Sequence, residues 1–165
     1  MYSNVQDFLT QYAYESAATN KLLAAVSDAN FNVEPNSKVR STGRLSWHIA
    51  KAVSEIGSLL PITITKATAE DKPETAAAAA ALHRKSADEL MAAVKSTITN
   101  DMLNNEINAW GMKMTVASTL WMIVAHEIHH RGQLQVVIRV VGDVPVGVVG
   151  PTDEEMKAMQ AAHQN

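Results

Sequence analysis

Apolar residues fall into four long blocks along the chain, and their spacing predicts helices. Residues 3–27 carry Val5, Phe8, Leu9, Tyr12, Leu22, Leu23 and Val26 on one buried stripe. Ser3 is placed to cap this helix, with Gln6 three residues on as its capping-box partner. The second block, 42–60, puts Leu45, Ile49, Ala52, Val53, Ile56 and Leu60 on one face. Ser41 or Thr42 caps it and Pro61 ends it. The third, 74–97, holds an alanine run from Ala76 to Ala81, strong in helix propensity and small enough for close helix approach. The fourth opens at Met114 or Thr115 and continues to Val141 with no proline and a single glycine, Gly132.

The intervening stretches carry turn chemistry. Asn32, Pro35 and Asn36 mark a loop over 31–41, and 62–73 reads as a ragged helix end followed by a loop. Residues 100–113 read as irregular, with turns at Asn104, Asn105, Asn108 and Gly111. Gly142 stops the fourth helix and Pro145 prevents its restart. Residues 144–150 are expected to lie extended on the body. Thr152 and Glu155 form a capping box for a short last helix ending near His163. No repeat or linker divides the chain, so 1–165 is expected to be one all-α domain, a four-helix bundle with a short C-terminal helix.

The fourth block is apolar nearly all round: Val116, Met122, Ile123 and Val137 on one side, Trp121, Val124, Ile128 and Ile138 on the other. A helix on the outside of a monomer has one polar face. This one is therefore either central or packed on another subunit, and a homodimer is the expectation. A length of 165 residues suffices for a real core, and 47% hydrophobic with only 5% aromatic residues suits an alanine-rich bundle. A net charge of −3 argues against nucleic acid as a partner. No cysteine is present, so any metal is held by nitrogen or oxygen. The first residues lack the basic start and apolar core of a signal peptide. No apolar run is long and uncharged enough to cross a membrane, and the expected location is cytoplasmic.

The chemistry lies inside the fourth block, in His126-Glu127-Ile128-His129-His130-Arg131-Gly132-Gln133-Leu134. Residues four apart share one helix face, so His126 and His130 form a ready chelating pair for a divalent ion. Their neighbours on that face, Thr119, Met122, Ile123, Gln133 and Val137, turn the pair inward. Buried imidazoles need partners for their ring nitrogens, and a metal supplies one to each. The bland alternative is a pair of hydrogen-bonded core histidines with no metal. Candidates for a third ligand are His48, His83, His129 and His163. His129 points about 100° away from His130 and suits an interface or rim. His83 follows the alanine run and is expected to be solvated, and His163 lies in the tail. His48, at the edge of the second helix's stripe, stands first.

Two blocks together carry a family resemblance: Ser41-Thr42-Gly43-Arg44-Leu45-Ser46-Trp47-His48-Ile49-Ala50, and the histidine block followed by Arg139, Gly142 and Val144-Pro145. In order and spacing the chain resembles the DinB/YfiT-like superfamily. The resemblance implies a four-helix bundle with one crossover connection, usually a dimer. It implies a divalent metal held by three histidines, here His48, His126 and His130. Zinc is the first expectation, and nickel, iron and manganese also accept imidazole. It further implies a metal-dependent enzyme acting on a small-molecule substrate, a transferase using a low-molecular-weight thiol or a hydrolase. The alternative is a non-catalytic metal-binding homodimer with a structural or stress-related role. Gln133 faces the site and can support it, Arg131 is expected to serve structure or the dimer contact, and Glu55 reads as a surface carboxylate. His126 to His130 also satisfies the zinc-protease pattern H-E-x-x-H, but no downstream ligand is evident before Glu154. A di-iron carboxylate bundle needs a second Glu-x-x-His motif that the chain lacks.

Overall fold

The computed structural model describes residues 1–163. Helix α1 spans Val5–Ala24, α2 Thr42–Gly57, α3 Ala76–Thr97, α4 Val116–Val140 and α5 Asp153–Ala162. Short 3-10 turns fill parts of the connections, at Asp28–Asn30, Ala69–Asp71 and Asn100–Asn104.

Two apolar clusters define how the helices run. One joins the start of α1 (Val5, Phe8), the ends of α2 (Val53, Ile56) and α3 (Leu90, Val94), and the start of α4 (Val116, Leu120). The other joins the end of α1 (Leu22, Leu23), the starts of α2 (Leu45, Ile49) and α3 (Ala76, Ala79), and the end of α4 (Leu134, Ile138). Helices α1 and α4 therefore run one way, and α2 and α3 the other. Helices α1 and α2 each pack on both α3 and α4. Because α2 and α3 are parallel, residues 58–75 travel back along the bundle. Their hydrogen bonds track this crossover: Thr65 N and Oγ1 donate to Glu89 Oε1 at 2.7 and 2.8 Å, and Ala67 N donates to Ser54 Oγ at 3.0 Å.

The local chemistry sets the ends. The cap of α1 is Asn4, whose side chain accepts from Asp7 N at 2.8 Å, so the helix begins later than the expected Ser3 cap. The free amide of Val5 is taken by Asn100 Oδ1 at 2.9 Å, tying the start of α1 to the end of α3's connection. Ser41 caps α2, Thr75 caps α3, and Thr115 with Ser118 forms a capping box for α4. Helix α2 stops at Gly57 rather than 60, though Leu60 remains buried in the following turn. At the end of α4, Gly142 takes φ +91°. Its amide bonds Arg139 O and that of Asp143 bonds Ile138 O, both at 3.0 Å, a Schellman arrangement.

Residues 106–115 correct an expectation. The segment is a hairpin of β1, Glu106–Ala109, and β2, Met112–Thr115, paired antiparallel. Its two central turn residues, Trp110 and Gly111, both have positive φ, 53° and 84°. That is the geometry whose twist matches a hairpin, and Asn108 Oδ1 steadies it by accepting from Gly111 N at 2.7 Å. Each strand has only four residues with little alternation, and the turn is Trp-Gly rather than Asn-Gly, so the sequence carries little hairpin signal. Residues 143–147 form neither helix nor strand, and the chain bends over 148–150, so the expected extended run stops short. Lys21 Nζ holds the segment at Gly147 O (2.8 Å), while Val146 and Val148 pack on the second cluster.

The outer side of α4 is not covered by its own bundle. Val124 and Ile138 are buried, but Trp121 is 54% exposed, Ile128 41%, and Val136 and Val140 61% each. Among the described residues no helix is long and apolar enough to cross a membrane.

Candidate metal centre

Helix α4 carries four functional-looking side chains in two consecutive steps. His126 and His130 lie on the side facing α2; Glu127 and Arg131, one residue further on, are rotated about 100° toward α1 and α3. Helix α2 contributes His48, six residues beyond its first residue. The three rings meet: centroids lie 4.3 Å apart for His48 and His130, 4.4 Å for His126 and His130, and 5.0 Å for His48 and His126. Each offers one nitrogen to a group whose ligand atoms all lie within 4.8 Å of one another. Two ligand nitrogens on one tetrahedral zinc stand roughly 3.3 Å apart, given bonds of about 2.0–2.1 Å. The spacing thus suits a single ion.

Gln133 fixes the tautomer that such a site needs. Its Nε2 donates to His129 Nε2 at 3.0 Å, which turns its Oε1 toward His130. His130 Nδ1 donates to that oxygen at 2.8 Å. The proton is therefore on Nδ1, and the lone pair of Nε2 faces the cluster. His48 Nε2 stands 3.0 Å from it. Two facing imidazole nitrogens can share one proton, which is the metal-free solution, or turn both lone pairs to a cation.

The electrostatics favour neutral rings. Burial lowers the His48 pKa to about 4, helped by the nearby charges of His130, His126 and Arg40. Burial likewise takes His126 to about 4, with His130 and His129 adding. His130 is lowered too, again by burial, although its bond to Gln133 opposes the shift. All three are half-buried. Rings that resist protonation keep their lone pairs for a metal at neutral pH.

The other proposed third ligands lie elsewhere. His129 is exposed and touches Gln133; His163 is exposed and its Nδ1 donates to Met159 O at 2.7 Å. His83 overturns the expectation of a solvated side chain: it is fully buried, with Nε2 3.1 Å from Glu127 Oε1. Its face is that of Ala76, Ala79, Ala80, Ala87 and Leu90, all buried. In a run of alanines on every side, that stripe is invisible in the sequence.

Behind the histidines lies a buried polar cluster, in which Tyr12 OH, His83 Nδ1 and Glu127 Oε2 have no hydrogen-bond partner of good geometry. Burial would raise the Glu127 pKa, but the hydrogen bond and charge of His83 outweigh it, with Thr19 and Tyr12 hydroxyls adding, and the carboxyl is held below its ordinary value. Tyr12 is fully buried, and that burial and Glu127 push its pKa up. Arg131 is buried as an ion pair, Nη2 to Glu15 Oε2 at 2.6 Å, with Nη1 also donating to Glu15 O at 3.1 Å and Thr19 Oγ1 at 3.3 Å. Its role inside the bundle is structural. Glu55 is bound to Lys51 at 2.7 Å on the surface, as its sequence position suggested.

The sequence profile of the DinB family matches residues 1–164. The chain belongs to the DinB family. It is 32% identical over 157 residues to the uncharacterized protein YrdA of Bacillus subtilis (strain 168), covering 94% of this chain and 93% of that one. The uncharacterized protein YjoA of the same organism is 27% identical over 133 residues, covering 75% and 82%. The crystal structure of a DinB-like protein from Bacillus cereus ATCC 10987 superposes with a TM-score of 0.82 at 28% identity, over 92% of this chain and all of that one (100%). The crystal structure of YjoA matches with a TM-score of 0.64 at 22% identity, over 84% and 93%, and supports the fold alone. For a DinB-family chain, a three-histidine group able to hold a metal ion is the outstanding chemical feature.

Proposed function

We propose that His48, His126 and His130 hold a divalent metal ion, zinc first among the candidates, and that the protein is a metal-dependent enzyme acting on a small molecule. The observation that carries this is the convergence of three ring nitrogens within 4.8 Å from two segments far apart in sequence. Among the described residues, no carboxylate joins the group as a fourth ligand. Three neutral donors and an open position suit a catalytic rather than a closed structural site. Bound there, the ion supplies a full positive charge that lowers the pKa of a thiol or water brought to it. The chain's own part is to keep three imidazoles neutral, to set the His130 tautomer through Gln133, and to hold α4 rigid through Arg131 and Glu127. The reaction is a transfer to or from a low-molecular-weight thiol, or a hydrolysis. The exposed strip of Trp121, Ile128, Val136 and Val140 supports a homodimer packed through α4.

A second reading has its own support: the ligands come from two packed helices, so an ion would staple α2 to α4 without any turnover. Metal analysis of untagged protein, with melting measured before and after chelation, separates the two. The enzyme reading expects a stoichiometric ion and a modest change in melting temperature on its removal. A collapse of the fold under chelator favours the staple, and protein purified without metal removes both.

A further inference from the structure

The histidine cluster opens on two concave surfaces that share one side chain, Arg40. On one side, a cavity of about 460 Å³ is lined by Lys38, Arg40, His130 and Gln133 around apolar Val39, Leu45 and Val137. On the other, a cavity of about 370 Å³ gathers Arg40, Arg44, Lys51 and Lys72 around His48 and Trp47. Neither lining contains an aspartate or a glutamate. The chain's net charge is −3, yet Lys38, Arg40, Arg44, Lys51 and Lys72 are five of its 14 basic residues. This concentration runs against the overall charge.

Two of the five are already neutralised, Arg44 by Glu34 at 3.1 Å and Lys51 by Glu55 at 2.7 Å. Among the described residues, Lys38, Arg40 and Lys72 have no ion-pair partner. Arg40 is the most central, because it lines both cavities, with His130 in one and His48 in the other. Three neutral imidazoles do nothing to balance a divalent ion, and Arg40 adds to the excess. The missing negative charge then has to arrive with whatever binds.

We propose that Arg40, with Lys38 beside it, binds the anionic group of a small substrate, a carboxylate or a phosphate, whose apolar part lies against Val39, Leu45 and Val137. The guanidinium fork matches two oxygens of either group at once. That the substrate's reactive end lies at the histidines rests on the metal-centre reading above; the anion pocket itself does not.

The test uses three short thiols that share an HS-CH2-CH2 unit and differ in their far end: 3-mercaptopropionate, its amide, and cysteamine. Each is titrated calorimetrically into metal-free and cobalt-loaded protein, and the cobalt samples are also read by the thiolate-to-cobalt absorption band. The expected order is carboxylate over amide by about tenfold, with cysteamine weakest, and Arg40→Gln brings carboxylate and amide together. Equal affinities, or a preference that survives in Arg40→Gln, overturns the anion pocket. Failure of cobalt to bind, or a band unchanged in His48→Ala, overturns the metal reading instead, while the order of affinities in metal-free protein still decides the pocket. Displacement of 3-mercaptopropionate by inorganic phosphate at lower concentration than by acetate identifies a phosphate-type head group, and the reverse identifies a carboxylate.

Discussion

Two polar clusters sit back to back on the same two turns of α4, and their difference is instructive. On one side, His126 and His130 meet a third imidazole; on the other, Glu127 and Arg131 meet His83 and Glu15. The second cluster pairs its members, Glu127 with His83 and Arg131 with Glu15, all nearly inaccessible, though Glu127 Oε2 and His83 Nδ1 stay unpaired. The first brings together three groups of one kind, so that a proton on one ring disfavours a proton on the others. A buried cluster that pairs acceptors with donors holds a bundle; an open cluster of three like imidazoles calls for a cation. Side-chain type alone does not separate them, since a histidine stands in both. The partner decides.

The largest expected effect is on the buried side. Arg131→Ala leaves the Glu15 carboxylate without its partner and should cost about 3–5 kcal/mol in denaturant unfolding of metal-free protein. Metal content per folded chain should stay the same. An unchanged stability, or a folded variant that no longer binds metal, would erase the distinction between the clusters.

His48→Ala works in the opposite sense. Metal content should fall to background, while the metal-free melting temperature moves by no more than about 4 °C, because a half-buried ring crowded by two others is replaced. Calorimetry and elemental analysis on the same sample read both. Retention of metal would show that α2 contributes no ligand.

Acid should strike the two clusters in different windows. His48 and His126 have folded pKa values of about 4, below the ordinary 6.5. Between those values the unfolded chain binds more protons than the folded one, so metal-free protein loses stability as pH falls from 6.5 toward 4. Glu127 lies below its ordinary 4.5 in the fold. Its contribution is complete above 4.5 and disappears as pH drops through the folded value. Unfolding measured against pH should show the upper slope vanish in a His48→Ala/His126→Ala double variant and the lower loss shrink in Glu127→Gln. A flat profile from 6.5 to 4 would contradict the neutral-ring account.

The smallest effect expected is at Gln133. Replacing it with alanine frees the His130 tautomer and should weaken metal binding by about tenfold, the lower end for a residue that orients a ligand. A competition titration with a chelator measures it.

Much of this was legible in the sequence. The i, i+4 spacing of His126 and His130 and the Gly142 stop are local features that local rules read. The starts of α2 and α4 narrow to Ser41 or Thr42 and to Met114 or Thr115, of which Ser41 and Thr115 are the caps. His48 stands first among the third-ligand candidates from its place at the edge of the second helix's stripe. Its role as a ligand and the crossover come through family likeness, because which helices meet is not written in any one segment. His83 was lost to the alanine run, where every face looks equally apolar, and the β1–β2 hairpin to strands too short to show alternation. The pairing of Glu127 with His83 depends on how α3 and α4 are rotated against each other, and no spacing within either helix reveals that.

The most direct measurement is X-ray absorption, joined to elemental analysis, on protein purified without a histidine tag. A near-stoichiometric divalent ion with three imidazole ligands, lost together in His48→Ala, His126→Ala and His130→Ala, is the result expected. Protein that carries no metal when saturated and washed, or an ion whose ligands survive those substitutions, would contradict it.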